Sequence, residues 1–314
     1  MGILLILMEN IVMFTINRRK FLTRSASLAA AAAIPAPVFS APGGVAREPG
    51  VKLKLGLNAY SFDKPLRQGS MSLTDVVRFC AQHGVDALDA TGYYFPGYPQ
   101  VPTDESLYNF KRTAFVNGVA ISGTGVRNDF AVADTAARNN DLQMVKDWIV
   151  VASKLGAPVI RVFSGEVRPS GYSFDEALAW MVGDFKECAA FGQQHGVVVA
   201  VQEHNDFLKT AEEVIRVIEA VGSDWFACIL DIGSLRSGDP YAEIEKLTPY
   251  AVSWQIKEYV GREGKEEATD LAKIKAIIDR SGYRGYVPFE ALGAGDPQVK
   301  VAEFLEKIRR AFAL

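Results

Sequence analysis

The chain has 314 residues, is 49% hydrophobic and 23% charged, and carries a formal net charge of −3 at pH 7. That is globular composition with ample length for a large core, and it lacks the basic excess through which a protein binds nucleic acid. Three cysteines, Cys80, Cys188 and Cys228, stand far apart in apolar contexts and read as buried thiols rather than disulfide partners or metal ligands.

The first feature along the chain is NRRKFLTRSASLAAAAAIPAPVFSA, residues 17–41. Adjacent arginines, then Phe21 and Leu22, an alanine-rich run and a small-residue close resemble a twin-arginine export signal. The run is short and weakly hydrophobic for a membrane span, which leaves an uncleaved anchor as the alternative to a cleaved signal. The expectation is an exported, periplasmic protein that meets a membrane only during export. Its parts are a leader over residues 1–41, with Met13 a candidate start, a linker over 42–51, and a folded domain over 52–314.

From Lys52 onward, apolar strand-like runs alternate with segments of helical period. KLGLNAY (54–60) comes first. Then a glycine repeatedly closes a helix ahead of a strand: Gly84 before VDALDA, Gly118 before VAISGT, Gly156 before APVIRVF, Gly196 before VVVAVQE, Gly222 before FACILD and Gly282 before YVPFE. Glycine takes the left-handed conformation that ends a helix, and Pro249 does similar work before AVSWQIK. Eight strands with helices between them predict a single α/β domain, a (β/α)₈ TIM barrel, over a doubly wound sheet. His83 and His195 end helices in the echoing segments FCAQHGV and FGQQHGV, opposite the expected active face, and read as structural.

Barrel chemistry gathers where strands end. Those ends carry Asn58 and Tyr60, Asp89, Arg127 with Asn128 and Asp129, Glu166, Glu203 and His204, Asp231, Gln255 and Lys257, and Glu290. The side-chain period of two puts Gln255 with Lys257, Glu203 with Val201 and Val199, and Asp231 with Ile229. If Glu203, Asp231 and Glu290 converge, they repel one another unless a cation holds them. With the amide oxygen of Gln255 they form an all-oxygen set that suits one divalent cation, Mn²⁺ or Mg²⁺. The plainer alternative is that each acid caps a helix or pairs with Lys257 or Arg161.

The segments VQEHND, ILDIGS, WQIKEY and PFEAL, supported by GVDALDATGYYFPGYP and ISGTGVRNDF, resemble the xylose isomerase-like barrel superfamily. The branch is its sugar phosphate isomerase/epimerase type, and the resemblance covers about residues 52–312. It implies a metal held by Glu203, Asp231, Gln255 and Glu290, with Glu203 and Glu290 also exchanging protons with substrate. Gln255 stands where many relatives have histidine, and Ser234 where several have a substrate-facing histidine. Lys257 is then either an oxyanion stabiliser or the partner of a ligand carboxylate. Asn58, Tyr60, Asp89, Arg127, Glu166, His204 and Arg236 are the substrate-binding candidates.

The expected activity is isomerisation or epimerisation of a neutral sugar or keto-sugar, by proton abstraction beside a carbonyl through a metal-bound enediolate. Elimination from the same enolate, by a keto-sugar lyase or dehydratase, and a non-catalytic sugar-binding barrel are the alternatives. A zinc phosphodiesterase on this barrel needs many histidines, and the chain has three. Its glycine pairs do not complete a dinucleotide fingerprint. The expected partner is a small carbohydrate, with no nucleic acid, and barrels of this kind often pair as homodimers.

Overall fold

A computed structural model describes residues 43–204 and 207–314; the expected leader over 1–41 lies outside them. The strands are β1 (Lys52–Asn58), β2 (Ala87–Asp89), β3 (Ala120–Gly125), β4 (Val159–Phe163), β5 (Val198–Gln202), β6 (Phe226–Asp231), β7 (Ala251–Lys257), β8 (Tyr259–Arg262), β9 (Lys265–Ala268) and β10 (Arg284–Glu290). All but β8 and β9 close into a parallel barrel in the order β1-β10-β7-β6-β5-β4-β3-β2. β10, the eighth barrel strand, closes the ring against β1, with Leu55 opposite Val287 and Gly56 opposite Pro288. The expected (β/α)₈ barrel is the observed fold.

Local chemistry explains the alternation. Ser72, Ser173 and Thr210 open helices with reciprocal caps to Asp75, Glu176 and Glu213, satisfying backbone N–H groups that would otherwise lack partners. The six glycines read as helix ends all adopt positive φ, between 61° and 76°. His83 stacks on Phe79 and His195 packs at a tilt against Phe191, each one turn earlier and away from the strand ends. All three cysteines are free and buried.

Two apolar layers result. The larger lies between barrel and helices and contains Leu57, Val199, Val201, Leu230, Trp254 and Phe289. The smaller fills the barrel with Val159, Ala200 and Ile229, joined by Val198 and Val252. In β5, therefore, Val199 and Val201 face the helices, while Ala200 and Gln202 face the axis. Small residues on that inner face leave room for long side chains above. At Gly125 of β3, a Cβ would lie 2.6 Å from Nε of Arg161.

Two features depart from the expected plan. An antiparallel hairpin, β8–β9, follows β7; β9 (KEEA) is fully exposed, so no apolar pattern announces it. The segment read as a linker packs against the strand-start end of the barrel. Val45 N–H donates to Pro249 O at 2.9 Å, and the Arg47 guanidinium lies 4.8 Å over the Tyr283 ring. Among the described residues no helix is long and apolar enough to cross a membrane.

Candidate active site

At the strand ends the inner face turns polar. Asn58 of β1, Arg161 of β4, Gln202 of β5, Gln255 and Lys257 of β7, and Glu290 of β10 line a cavity of about 70 Å³. Tyr60, Tyr93, Asn128, Phe163 and His204 complete its upper wall, and Arg127 and Glu166 sit there as a 2.9 Å ion pair with each side chain more than 60% exposed. A second cavity of about 410 Å³ adjoins it, sharing Tyr60, His204, Lys257 and Glu290 and adding Ser234, Arg236 and the hairpin residue Tyr259.

The floor of the first cavity is one connected network. Lys257 Nζ lies 2.8 Å from Asp231 Oδ2 and 3.3 Å from Glu290 Oε1. Gln202 Nε2 donates to the same Asp231 oxygen at 2.7 Å and to Gln255 Oε1 at 3.0 Å. Asp231 Oδ1 accepts from Gly233 N–H at 3.0 Å. Arg161 Nη1 donates to Gln202 Oε1 at 3.3 Å, and Nη2 to the Tyr93 hydroxyl. A guanidinium has no acceptor, so Arg161 dictates which end of the Gln202 amide turns toward Asp231.

Electrostatics separates the two floor acids. Burial alone would raise Asp231, but the Lys257 ammonium outweighs it and holds its carboxyl below the usual range. At Glu290 burial wins over Lys257, and the carboxyl is pushed up. Burial also opposes the charge on Lys257, yet Asp231 and Glu290 together raise its pKa, so it stays an ammonium at neutral pH. Asp89 lies buried near Arg161, with its pKa raised to about 6 by burial.

Glu203 corrects an expectation. It stands one residue past the end of β5 and shares the face of Val199 and Val201, which is the helix side. Its side chain is fully buried, absent from the cavity wall, and accepts the Asp231 backbone N–H at 2.7 Å. Burial, and then the charge of Asp231, raise its pKa well above the usual carboxylate value. The second oxygen has no hydrogen-bond partner. Gln202 is the β5 side chain that reaches the floor.

Of the other expected residues, Asn58, Tyr60, Arg127, Glu166, His204, Gln255, Lys257 and Glu290 come together on the first cavity. Asp231 meets them through Lys257 and Gln202, Arg236 lines the adjoining cavity, and Asp89 lies outside both walls. Sequence reasoning missed Gln202 and Tyr93 as site residues and gave Arg161 only a pairing role. One signal was available: Ala200 is the small residue in a valine run, and a narrow barrel axis takes the small side chain.

A profile of the xylose isomerase-like TIM barrel matches residues 77–310. The chain belongs to this family. No curated protein matches it by sequence. Among solved structures, this xylose isomerase-like barrel is similar to D-psicose 3-epimerase with D-tagatose from Clostridium cellulolyticum H10, at 16% identity and TM-score 0.69, covering 82% of this chain and 99% of that one. It is similar to 3-keto-D-glucoside 4-epimerase from E. coli, at 14% identity and TM-score 0.67, covering 82% and 100%. The IolI protein with a bound zinc atom is 15% identical at TM-score 0.67, covering 82% and 96%. At these identities the likeness is one of fold.

The metal implied by the resemblance can be tested on the donor set. Of the four expected ligands Glu203 faces away, and the oxygens of Asp231, Gln255 and Glu290 that face the centre already accept N–H groups from Lys257 or Gln202. Among the described residues no cluster of three histidine, cysteine or acidic side chains is placed to hold a metal ion. This arrangement does not fit the expected cation.

Proposed function

We propose that this barrel binds a neutral sugar or keto-sugar and moves a proton at the carbon beside its carbonyl, as an isomerase or epimerase. One observation carries the reading: Glu290, a carboxylate whose pKa burial has raised, stands 3.3 Å from the Lys257 ammonium on the wall of a polar cavity. A raised carboxyl is a stronger base than an exposed one. A neighbouring ammonium stabilises the oxyanion that forms when the α-proton leaves.

The rest of the wall suits a polyol. Asn58, Tyr60, Gln202 and Gln255 offer neutral donors and acceptors, and the rim arginine, Arg127, is already neutralised by Glu166. Arg161, also on the wall, already donates to the Gln202 amide and the Tyr93 hydroxyl, so the lining offers more to an uncharged polyol than to a phosphate dianion. In this mechanism Glu290 takes the α-proton and Lys257, with Arg161 behind Gln202, holds the oxygen. His204, on the same cavity, is the second proton carrier in the role expected of Glu203. The adjoining cavity gives room for a substituent on the sugar, so keto-glycosides belong among the candidates. The names of two structural neighbours, both sugar epimerases, support the class. Export to the periplasm, on the sequence of residues 17–41, is part of the same proposal and agrees with an unphosphorylated substrate.

The test is solvent-deuterium uptake, followed by NMR, with ketoses, aldoses and keto-glycosides. Uptake at the α-carbon is expected with at least one of them, falling about 10²-fold or more in Glu290→Gln. New alkene signals would assign elimination instead. Sugar binding without exchange for any compound would leave a non-catalytic binder and end the proposal.

A further inference from the structure

We infer that this barrel operates without a divalent cation, and that the Lys257 ammonium stands in the place between Asp231 and Glu290 that a metal would take. The inference goes beyond the proposed reaction and holds whichever sugar chemistry the site performs.

Charge is the first argument. Asp231 and Glu290 supply two negative charges to the floor, and Lys257 and Arg161 two positive ones. These four charges balance one another, and Asp89, buried near Arg161, adds at most one further negative charge. A dication added to this set would bring uncompensated positive charge into a low-dielectric site, beside an ammonium that repels it.

Second, each of the three oxygen-bearing side chains already accepts an N–H at this centre. Asp231 Oδ2 accepts from both Lys257 and Gln202, and its Oδ1 accepts from Gly233 N–H. Gln255 Oε1 accepts from Gln202, and Glu290 Oε1 from Lys257. The face that Gln202 turns to this centre is its NH₂ group, which cannot ligate a metal. Arg161 locks that orientation, because a flipped amide would set donor against donor. Nor does Glu203 stand ready to replace it, since its carboxylate is tied to the Asp231 backbone N–H on the other side of the strand.

Third, the fold makes room for this lysine. At Gly233 a Cβ would lie 2.8 Å from Cδ of Lys257 and 3.1 Å from the Tyr259 carbonyl oxygen. Glycine there lets the lysine stem pass between the β6 loop and the start of the hairpin. The Lys257 carbonyl is in turn held by the Thr269 hydroxyl at 2.7 Å. The side chain is 17% exposed, enough to present an N–H to the cavity while its other hydrogens stay on the two acids. An ammonium polarises a carbonyl less than a dication does. If the proposed reaction is correct, this favours substrates whose C–H is already acidified by a free ketone.

The experiment uses the whole chain, purified without chelators. Elemental analysis is followed by titration with Mn²⁺ and with Zn²⁺, read by calorimetry and by thermal unfolding. The wild type is expected to carry substoichiometric metal and to show no saturable heat and no shift in Tm. Lys257→Met/Gln202→Glu, which removes the ammonium and adds a carboxylate, is expected to gain one-to-one Mn²⁺ binding. Lys257→Met alone is a milder second variant, expected to bind Mn²⁺ at least about tenfold more tightly than wild type. Stoichiometric metal in the wild type, lost in Asp231→Asn, overturns the inference. A folded variant that gains no metal overturns the claim that the ammonium holds the metal's place. None of these readouts depends on turnover, so a failed activity screen leaves them intact.

Discussion

Between Gln202 and Glu203 lies the difference between the inside of the barrel and its wall. Successive strand residues point to opposite faces, so only one of them can reach the floor, and Ala200 beneath Gln202 shows which. Glu203→Gln keeps an acceptor for the Asp231 N–H, so sugar binding and proton exchange should persist; Gln202→Leu, which cuts the link from Arg161 to Asp231, should lose both. Isothermal titration with the active sugar separates the two variants. Asp89 makes a prediction about pH. Its folded pKa of about 6 exceeds the ordinary value of 3.8 for an aspartate, so the folded state binds the proton more tightly. That contribution to stability is complete below about pH 4 and is lost as pH rises through about 6. Asp89→Asn removes the effect. Its stability relative to wild type should grow by up to about 3 kcal/mol between pH 4 and pH 8, measured by denaturant unfolding at each pH.

At the scale of elements, a strand that carries a long polar side chain needs a neighbour that yields space. β3 runs as AISGTG beside β4, and Gly125 sits where Arg161 passes. Gly125→Ala should displace the guanidinium from Gln202, cost about 1–3 kcal/mol of stability through overpacking, and weaken sugar binding. Thermal unfolding and a binding isotherm read the two effects separately. Helix starts are a local matter by comparison. Ser173→Ala removes one side of a reciprocal cap on the helix Phe174–His195 and should cost about 1 kcal/mol without touching the site. These caps and the glycine closures were legible in the sequence because each depends on a few adjacent residues. The hairpin β8–β9 was not, since its outer strand is wholly solvated and its position is set by Arg262 pairing with Asp239 and Glu267.

For the whole molecule, closure is what brings distant segments to one floor: β5 and β10, 86 residues apart at Val198 and Arg284 by their first positions, are three strands apart in the ring. The opposite end of the barrel is tied down by the segment before β1. Arg47, stacked on Tyr283 and donating to the Ala251 carbonyl, links residues otherwise far along the chain. Arg47→Ala should lower stability by about 2 kcal/mol in chemical unfolding, with sugar binding unchanged. By itself the sequence determined the eight strands, the helices between them, the barrel and the ring of polar strand ends, because periodicity, caps and helix-ending glycines act over a few residues. It also marked Asp231, Lys257 and Glu290 as neighbours of the site. Only the tertiary structure decided that Gln202 rather than Glu203 faces the axis, that Arg161 orients it, and that Lys257 bridges two acids. Those choices rest on strand register and on charges brought together across the closed ring, where a one-residue shift exchanges the faces of a strand.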